Sequence, residues 1–471
     1  MIKSTIATLV GFIISFSIQA QELTPQEIQL DKKLNALKNE LIQKAGQIKL
    51  PLYNSSFTQL KPFIESSSLY KILQSMPKGG LLHCHNGAIT NPNWLISTAA
   101  KYNNCYVYTG KDDSNFIYGQ LAMFKKDQMP KGFVPLQQYL QRDKNAAGAL
   151  LKLLTLNRHD LSEYMDTWVE FEKRFKRLDK LVSYRPFFKE YCQEAFNELL
   201  RDNVQHVEIR FGFGNLFDEN NNYSADTAIK DLKNIIAGIQ KTQPAFTVKF
   251  IYASYKFLDT TAVSQKLQTA FQLKQKYPDL ISGFDLVADE ATNHTVGYYT
   301  PVWNTISALE KQYGITMPLY LHAGESSTTS NTNLEDVPFQ FNKRIGHGLN
   351  LVYFPEIMQR VKTADNLVEV SPISNQELGY VSDLRNHPAR ILIANGVPCS
   401  INSDDPGVYG YNGLSYDFWV AFMAWDLDVK TLKKLIVNSI QYSSLTEEEK
   451  KSALIHLNKE WDKFVEASYK L

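Results

Sequence analysis

Short apolar runs punctuate this chain between residues 80 and 402, and helical patterns fill most of the gaps between them. The runs fall at 80–85, 205–211, 247–253, 281–287, 318–322, 343–346, 367–370 and 398–402. Each is of strand length, and several are too continuously apolar to have a wet face, as expected of strands covered on both sides. Eight such strands alternating with helices predict an α/β fold: a closed, parallel (β/α)8 barrel of TIM type rather than an open sheet.

Ahead of the first run, Leu30, Leu34, Leu37, Leu41 and Ile48 recur at spacings of four, three, four and seven, with charges between them. Lys44 holds the one seam position that is not apolar. The pattern is an amphipathic helix with a narrow apolar seam, which can pack onto the barrel or pair with a second subunit. Further upstream, Lys3, an apolar stretch at 6–18 broken by serines, and Ala20-Gln21 read as a secretory leader over 1–20, although Ile18 stands where a small residue is preferred. The stretch is too short for a good membrane span, so export to the periplasm or the exterior is expected. Residues 21–75 then form an N-terminal helical extension and 76–471 the barrel. Residues 101–145 lack clear periodicity and carry Lys-Asp-Asp and Pro-Lys-Gly turns, which marks an insertion after the first strand.

Composition narrows the class only a little. With 471 residues and 44% hydrophobic side chains, the chain can bury a large core. Fifty basic against 49 acidic residues leave a net charge of +1, which argues against a nucleic-acid partner. Four cysteines, Cys84, Cys105, Cys192 and Cys399, allow one disulfide, with no pairing legible. Buried free thiols are the expected state for Cys84, Cys192 and Cys399.

The chemistry lies at the ends of the runs. His83 and His85 alternate on a strand and so point the same way, an arrangement that can grip one cation. His322 ends the fifth run and Asp404 follows the eighth. Three imidazoles and a carboxylate, with no thiolate cluster competing, suit one zinc ion per chain. Cys84 points away from its neighbours and reads as a small buried hydrophobe. Glu325 lies three residues past His322 across an Ala-Gly turn, placed to shuttle protons beside the metal without binding it. His347 sits between two glycines, Asp405 adjoins Asp404, and a further polar stretch runs from Glu369 to Asn375. Singly, each is better explained as an exposed charge or a satisfied buried polar group. Together, at strand ends, they describe a hydrolytic metal site. Elsewhere, Glu208 and Arg210 share a strand face and read as an ion pair inside the barrel, and Phe175 as part of a buried helix stripe. His159, His206, His294 and His456 read as structural or solvated.

Met76-Pro-Lys-Gly-Gly-Leu-Leu-His-Cys-His85, Gly283-Phe-Asp-Leu-Val-Ala-Asp-Glu290, Leu321-His-Ala-Gly-Glu325, Arg344-Ile-Gly-His-Gly348 and Ser403-Asp-Asp-Pro406 together resemble the signature set of the adenosine deaminase family. Ser371-Pro-Ile-Ser-Asn-Gln376, Val381-Ser-Asp-Leu-Arg-Asn-His-Pro388 and Gly413-Leu-Ser-Tyr-Asp-Phe418 resemble its secreted growth factor branch. The resemblance implies a metal-dependent aminohydrolase barrel that converts adenosine to inosine and ammonia. His83, His85, His322 and Asp404 would hold zinc, Glu325 would protonate the ring, and His347 would orient or deprotonate the water. Asp405 would hold the purine, and Trp168 would face the ribose. It also implies a homodimer built on the N-terminal extension.

Two cavity positions depart from the pattern. Asn86 stands where the branch has aspartate, and Ala288 where the family's glycine presents its N–H to the purine. They keep open an aminohydrolase acting on another purine nucleoside or nucleotide. A non-catalytic extracellular signalling protein on the same barrel is the remaining alternative, although it would have no physical need of the ligand set or of Glu325.

Overall fold

The computed structural model describes residues 22–111, 118–125, 128–161 and 166–470; the leader expected over 1–20 lies outside the described residues. Eight parallel strands form the centre: β1 Gly79–His85, β2 Val204–Phe211, β3 Thr247–Tyr255, β4 Ile281–Val287, β5 His322–Ala323, β6 Arg344–His347, β7 Leu367–Val370 and β8 Cys399–Ile401. They pair in chain order as two four-stranded sheets, β1 to β4 and β5 to β8. All of them are buried along most of their length, which is why their sequences read as continuous apolar runs.

Two narrow joins close the ring. At one, Leu319 bridges Phe284 on one side and Asn342 on the other. At the other, Cys84 bridges Asp404, with the Asp404 N–H donating to the His83 carbonyl at 3.1 Å and the His85 N–H to the Asp404 carbonyl at 3.3 Å. The fifth strand is shorter than its apolar run predicts, and the reason is local. Pro318 has no N–H to offer, the Leu321 N–H goes to the Asn342 side chain, and the His322 N–H goes to Asp285. Gly283 lets β4 approach here, since a Cβ on it would stand 2.3 Å from the Pro318 carbonyl oxygen.

The N-terminal helix Pro25–Gln47 begins at a capping box between Thr24 and Glu27. It buries Glu27, Leu30, Leu34, Lys38, Leu41 and Ala45, mainly against the C-terminal helix Glu447–Lys470. Glu27 accepts hydrogen bonds from Lys433 and Trp461, each at 2.8 Å. Leu30, Leu34 and Leu41 of the seam expected to meet a second subunit are therefore covered by this same chain, while Leu37 is half-buried and Lys44 and Ile48 are exposed. The buried face follows the 3.6-residue period, so it turns away from the heptad line on which the pairing expectation was drawn. Leu34→Ala should accordingly cost about 2–5 kcal/mol of stability, the usual penalty for a cavity at a fully buried leucine. Urea unfolding measures this; a cost below about 1 kcal/mol would mean that the helix is loosely held.

Within 101–145 the described residues form a small three-stranded antiparallel sheet with Cys105–Tyr108 between Leu121–Met123 and Phe133–Pro135. Its strands are too short to show a period in sequence. All four cysteines are buried free thiols.

Candidate metal centre and catalytic cavity

The C-terminal ends of the barrel strands, where βα loops place functional side chains, bring the expected residues to one focus. His83 and His85 come from β1, His322 from β5, His347 from β6, and Asp404 follows β8. His83 Nε2 lies 3.3 Å from His85 Nε2, and Asp404 Oδ1 lies 3.4 and 3.2 Å from those two nitrogens. The His322 ring centre is 4.5 Å from that of His83. Two ligand groups share His83: His83, His85 and Asp404 form one, and His83, His322 and His347 the other, each with its atoms within 4.8 Å of one another. By distance alone His347 also belongs to the cluster.

Several observations fit this cluster to a cation. Asp404 Oδ1 is buried without a hydrogen-bond donor. His83 Nδ1 meets Glu369 at 2.8 Å and His322 Nδ1 meets Asp285 at 2.7 Å. A carboxylate on Nδ1 fixes the proton there and turns the Nε2 lone pair toward the shared centre, the usual support for a metal-bound imidazole. Burial also pushes the His322 imidazole down to about 4, and that of His85 down, so both are neutral and able to ligate at pH 7. Ser374 donates to the other Asp404 oxygen at 2.8 Å. Asp404 and His347 both adopt left-handed backbone, φ +58° and +65°. Strain of this kind persists where neighbours enforce it and collects at functional sites.

Beneath the cluster runs a buried ion network. Glu369 accepts from His83, Arg210 and Arg344, while Asp285 accepts from His322 and Arg210. Burial alone would raise the Glu369 carboxyl; Arg210 and Arg344 outweigh it and hold it well below the usual range. Glu208 pairs with Arg344 at 2.7 Å and His206 at 3.1 Å. Glu208 and Arg210 are thus ionic, as expected, but not with each other, because each finds its partner across the barrel.

Glu325 is buried 3.5 Å from His347 Nε2. Its carboxyl is pushed well up by burial, then by Asp404 and Glu290, which favours the protonated acid. Its backbone is held by Glu290, which accepts from the Gly324 and Glu325 N–H groups and pairs with Lys256 at 2.8 Å. Gly324 has φ +82°, and a Cβ there would stand 2.4 Å from Asn350 Oδ1. Asp405 is raised well above the carboxylate range by burial and by Asp404, and its Oδ1 has no partner.

A cavity of about 590 Å³ opens on the cluster, and Asn86, Trp168, Ala288 and Asp405 all line it with Glu325 and His347. Trp168 donates from Nε1 to Glu172 at 3.2 Å. Phe175 lines the cavity too, correcting the buried-stripe expectation: the helix Thr167–Lys176 turns its Phe171 edge inward and leaves Phe175 half-buried at the wall. Sequence marked Glu369, Ser374 and Asn375 only as parts of one polar stretch and Asp285 only as part of the Gly283–Glu290 motif, and it gave none of them these partners. Ala288 has φ +99°, a conformation glycine takes without cost. Ala288→Gly should stabilise the protein by about 1 kcal/mol and shift KM for the purine. An unchanged denaturation midpoint would mean the neighbours hold that backbone without strain.

The adenosine deaminase sequence profile matches residues 152–460. The chain is 33% identical to adenosine deaminase 2 of Sus scrofa and 32% identical to that of Pongo abelii, in both cases across 94% of this chain and 89% of the relative. Among solved structures, the apo N6-methyl-AMP deaminase of Arabidopsis thaliana superposes with a TM-score of 0.59 at 16% identity, covering 83% of this chain and 98% of that one.

Proposed function

The chain belongs to the adenosine deaminase family, and from that membership we propose a secreted, zinc-dependent enzyme that hydrolyses adenosine and 2′-deoxyadenosine to the inosine nucleoside and ammonia. The observation that carries the reading is the convergence of three imidazoles, Asp404 and Glu325 at one cavity. Zinc held by His83, His85, His322 and Asp404 would make a nucleophile of water near neutral pH. Glu325 donates its proton to the ring nitrogen beside the amine-bearing carbon, and that carbon becomes electrophilic. Asp405, uncharged in its buried setting, can donate to a second ring nitrogen, which fixes the purine plane. Trp168 and Phe175 wall the cavity and exclude water from the sugar. The leader pattern over 1–20 supports export.

Zinc content of the purified protein, with the loss of adenosine absorbance in the deamination band, tests the reading. Zinc-loaded protein inert toward adenosine would point to another purine; a metal-free, inert protein would point to a non-catalytic scaffold.

Asn86 bears on substrates with an anionic 5′ group. Asparagine keeps hydrogen-bonding capacity but carries no charge. An aspartate there, about 4 Å from a phosphate, would repel it by roughly 4 kcal/mol per charge pair at an effective dielectric of about 20, before screening. Asn86→Asp should therefore lower the ratio of kcat/KM for adenosine 5′-phosphate over adenosine, more at low salt than at moderate salt. An equal ratio in the two proteins would place Asn86 away from the ribose end.

A further inference from the structure

Nδ1 of His83 and of His322 faces a carboxylate, whereas Nδ1 of His347 does not. It faces the side-chain nitrogen of Asn375, at 3.1 Å. The Asn375 oxygen in turn faces His387 Nε2 at 3.2 Å, and His387 Nδ1 accepts from the Ala389 N–H at 3.1 Å. All three side chains are buried, with exposures of 1%, 0% and 2% for His347, Asn375 and His387.

Proton positions follow from what each heavy atom faces. The backbone N–H of Ala389 can only donate, so His387 Nδ1 must be the acceptor. Burial pushes the His387 imidazole down to about 3, so the ring is neutral and its single proton lies on Nε2. That proton donates to Asn375 Oδ1, which leaves the amide no choice of flip. Asn375 Nδ2 then donates to His347 Nδ1, and the proton of neutral His347 is left on Nε2, the atom that faces Glu325 and Asp404 at 3.5 and 3.8 Å.

We propose that Asn375 and His387 are positioning residues that lock His347 in its Nε2–H tautomer, so that His347 meets the attacking water as a hydrogen-bond donor and is neither its base nor a metal ligand. The proposal rests on the deaminase reading for its consequence but not for the tautomer itself. An Nε2–H has no lone pair for the cation, so His347 stays outside the ligand set despite its distance from His83 and His322. The same N–H can stabilise negative charge that builds on the attacking oxygen, provided that it points there before the reaction begins.

The test is long-range 1H–15N NMR of the zinc-loaded protein labelled at histidine, with the His347 signals identified by their loss in His347→Phe. Wild type is expected to show the Nε2–H form. Asn375→Asp replaces a donor by an acceptor and should move the proton to Nδ1. It should lower kcat for adenosine by about 10²-fold or more, with zinc content unchanged and KM little changed; a wrongly held tautomer costs a hydrolase up to about 10⁴. His387→Leu should lose part of this activity, and His387→Gln, whose amide nitrogen can still donate to Asn375, should recover most of that loss. An Nδ1–H form in wild type, or the same tautomer in wild type and Asn375→Asp, overturns the proposal. If the tautomers behave as stated while no form of the protein touches adenosine, it is the substrate reading that fails.

Discussion

Glu325→Gln is expected to reduce turnover of adenosine by about 10²–10⁴ while the metal stays bound, the usual cost of losing a general acid. Glutamine fills the same volume and can still hydrogen-bond, but it cannot release a proton to a ring nitrogen. The backbone clamp from Glu290 to Gly324 and Glu325 does not involve the side chain being changed, so the loop should hold its place. His83, His85, His322 and Asp404 are likewise untouched. Steady-state kinetics together with metal analysis separate the cases. A variant that loses its zinc would make Glu325 a ligand, and one with near-normal kcat would remove it from the chemistry. His322→Ala is the counterpart control and should release the metal.

Arg344→Met should destabilise the protein by about 3–5 kcal/mol, the range for stripping one partner from a buried ionic group. The Arg344 guanidinium binds Glu369 at 2.5 Å, Glu208 at 2.7 Å and the Tyr442 carbonyl at 3.0 Å, and it lies 3.9 Å over the Tyr320 ring. All the side chains of this network are shut off from solvent. Methionine replaces the volume and leaves two carboxylates with one cationic partner fewer. Glu369 keeps Arg210, and Glu208 keeps His206, so the loss should be partial rather than a failure to fold. Arg344→Lys should restore little, because a point charge cannot span both acids. Guanidinium unfolding of metal-free protein gives the number. A loss under about 1 kcal/mol would show that solvent reaches the network.

The barrel was legible because its strands are buried on both faces, which writes each as an apolar run. The cluster of candidate ligands was legible because strand alternation puts His83 and His85 on one side and because His322 and Asp404 end or follow such runs. What sequence hid was everything decided by closure of the ring. Glu208 and Arg210 look like a pair since they are two residues apart, yet β6 and β7 supply the partners they use. Asp285 and Glu369 look like stray strand charges until the barrel sets them behind His322 and His83. The N-terminal seam has a near-heptad spacing that suits a partner helix as well as it suits the C-terminal helix Glu447–Lys470, against which the fold sets it. Phe175 was misread for a similar reason: a helix stripe shows which residues avoid water, not whether a wall or a core receives them.

The two joins of the barrel acquire a mechanical meaning from the positions of the four proposed ligands. His83 and His85 end the first strand of one sheet, His322 begins the other just past Leu319, and Asp404 sits on the opposite join, bonded to β1. Backbone pairing is thinnest at those two places. An ion gripped by all four side chains would act as a clasp on a ring assembled from two half-shells, making release of the ion and parting of the shells a single event. The protein would then resist unfolding by mass action in proportion to how tightly it holds its metal. Scarcity of the ion would be felt as a shorter lifetime of the fold, not only as a slower reaction.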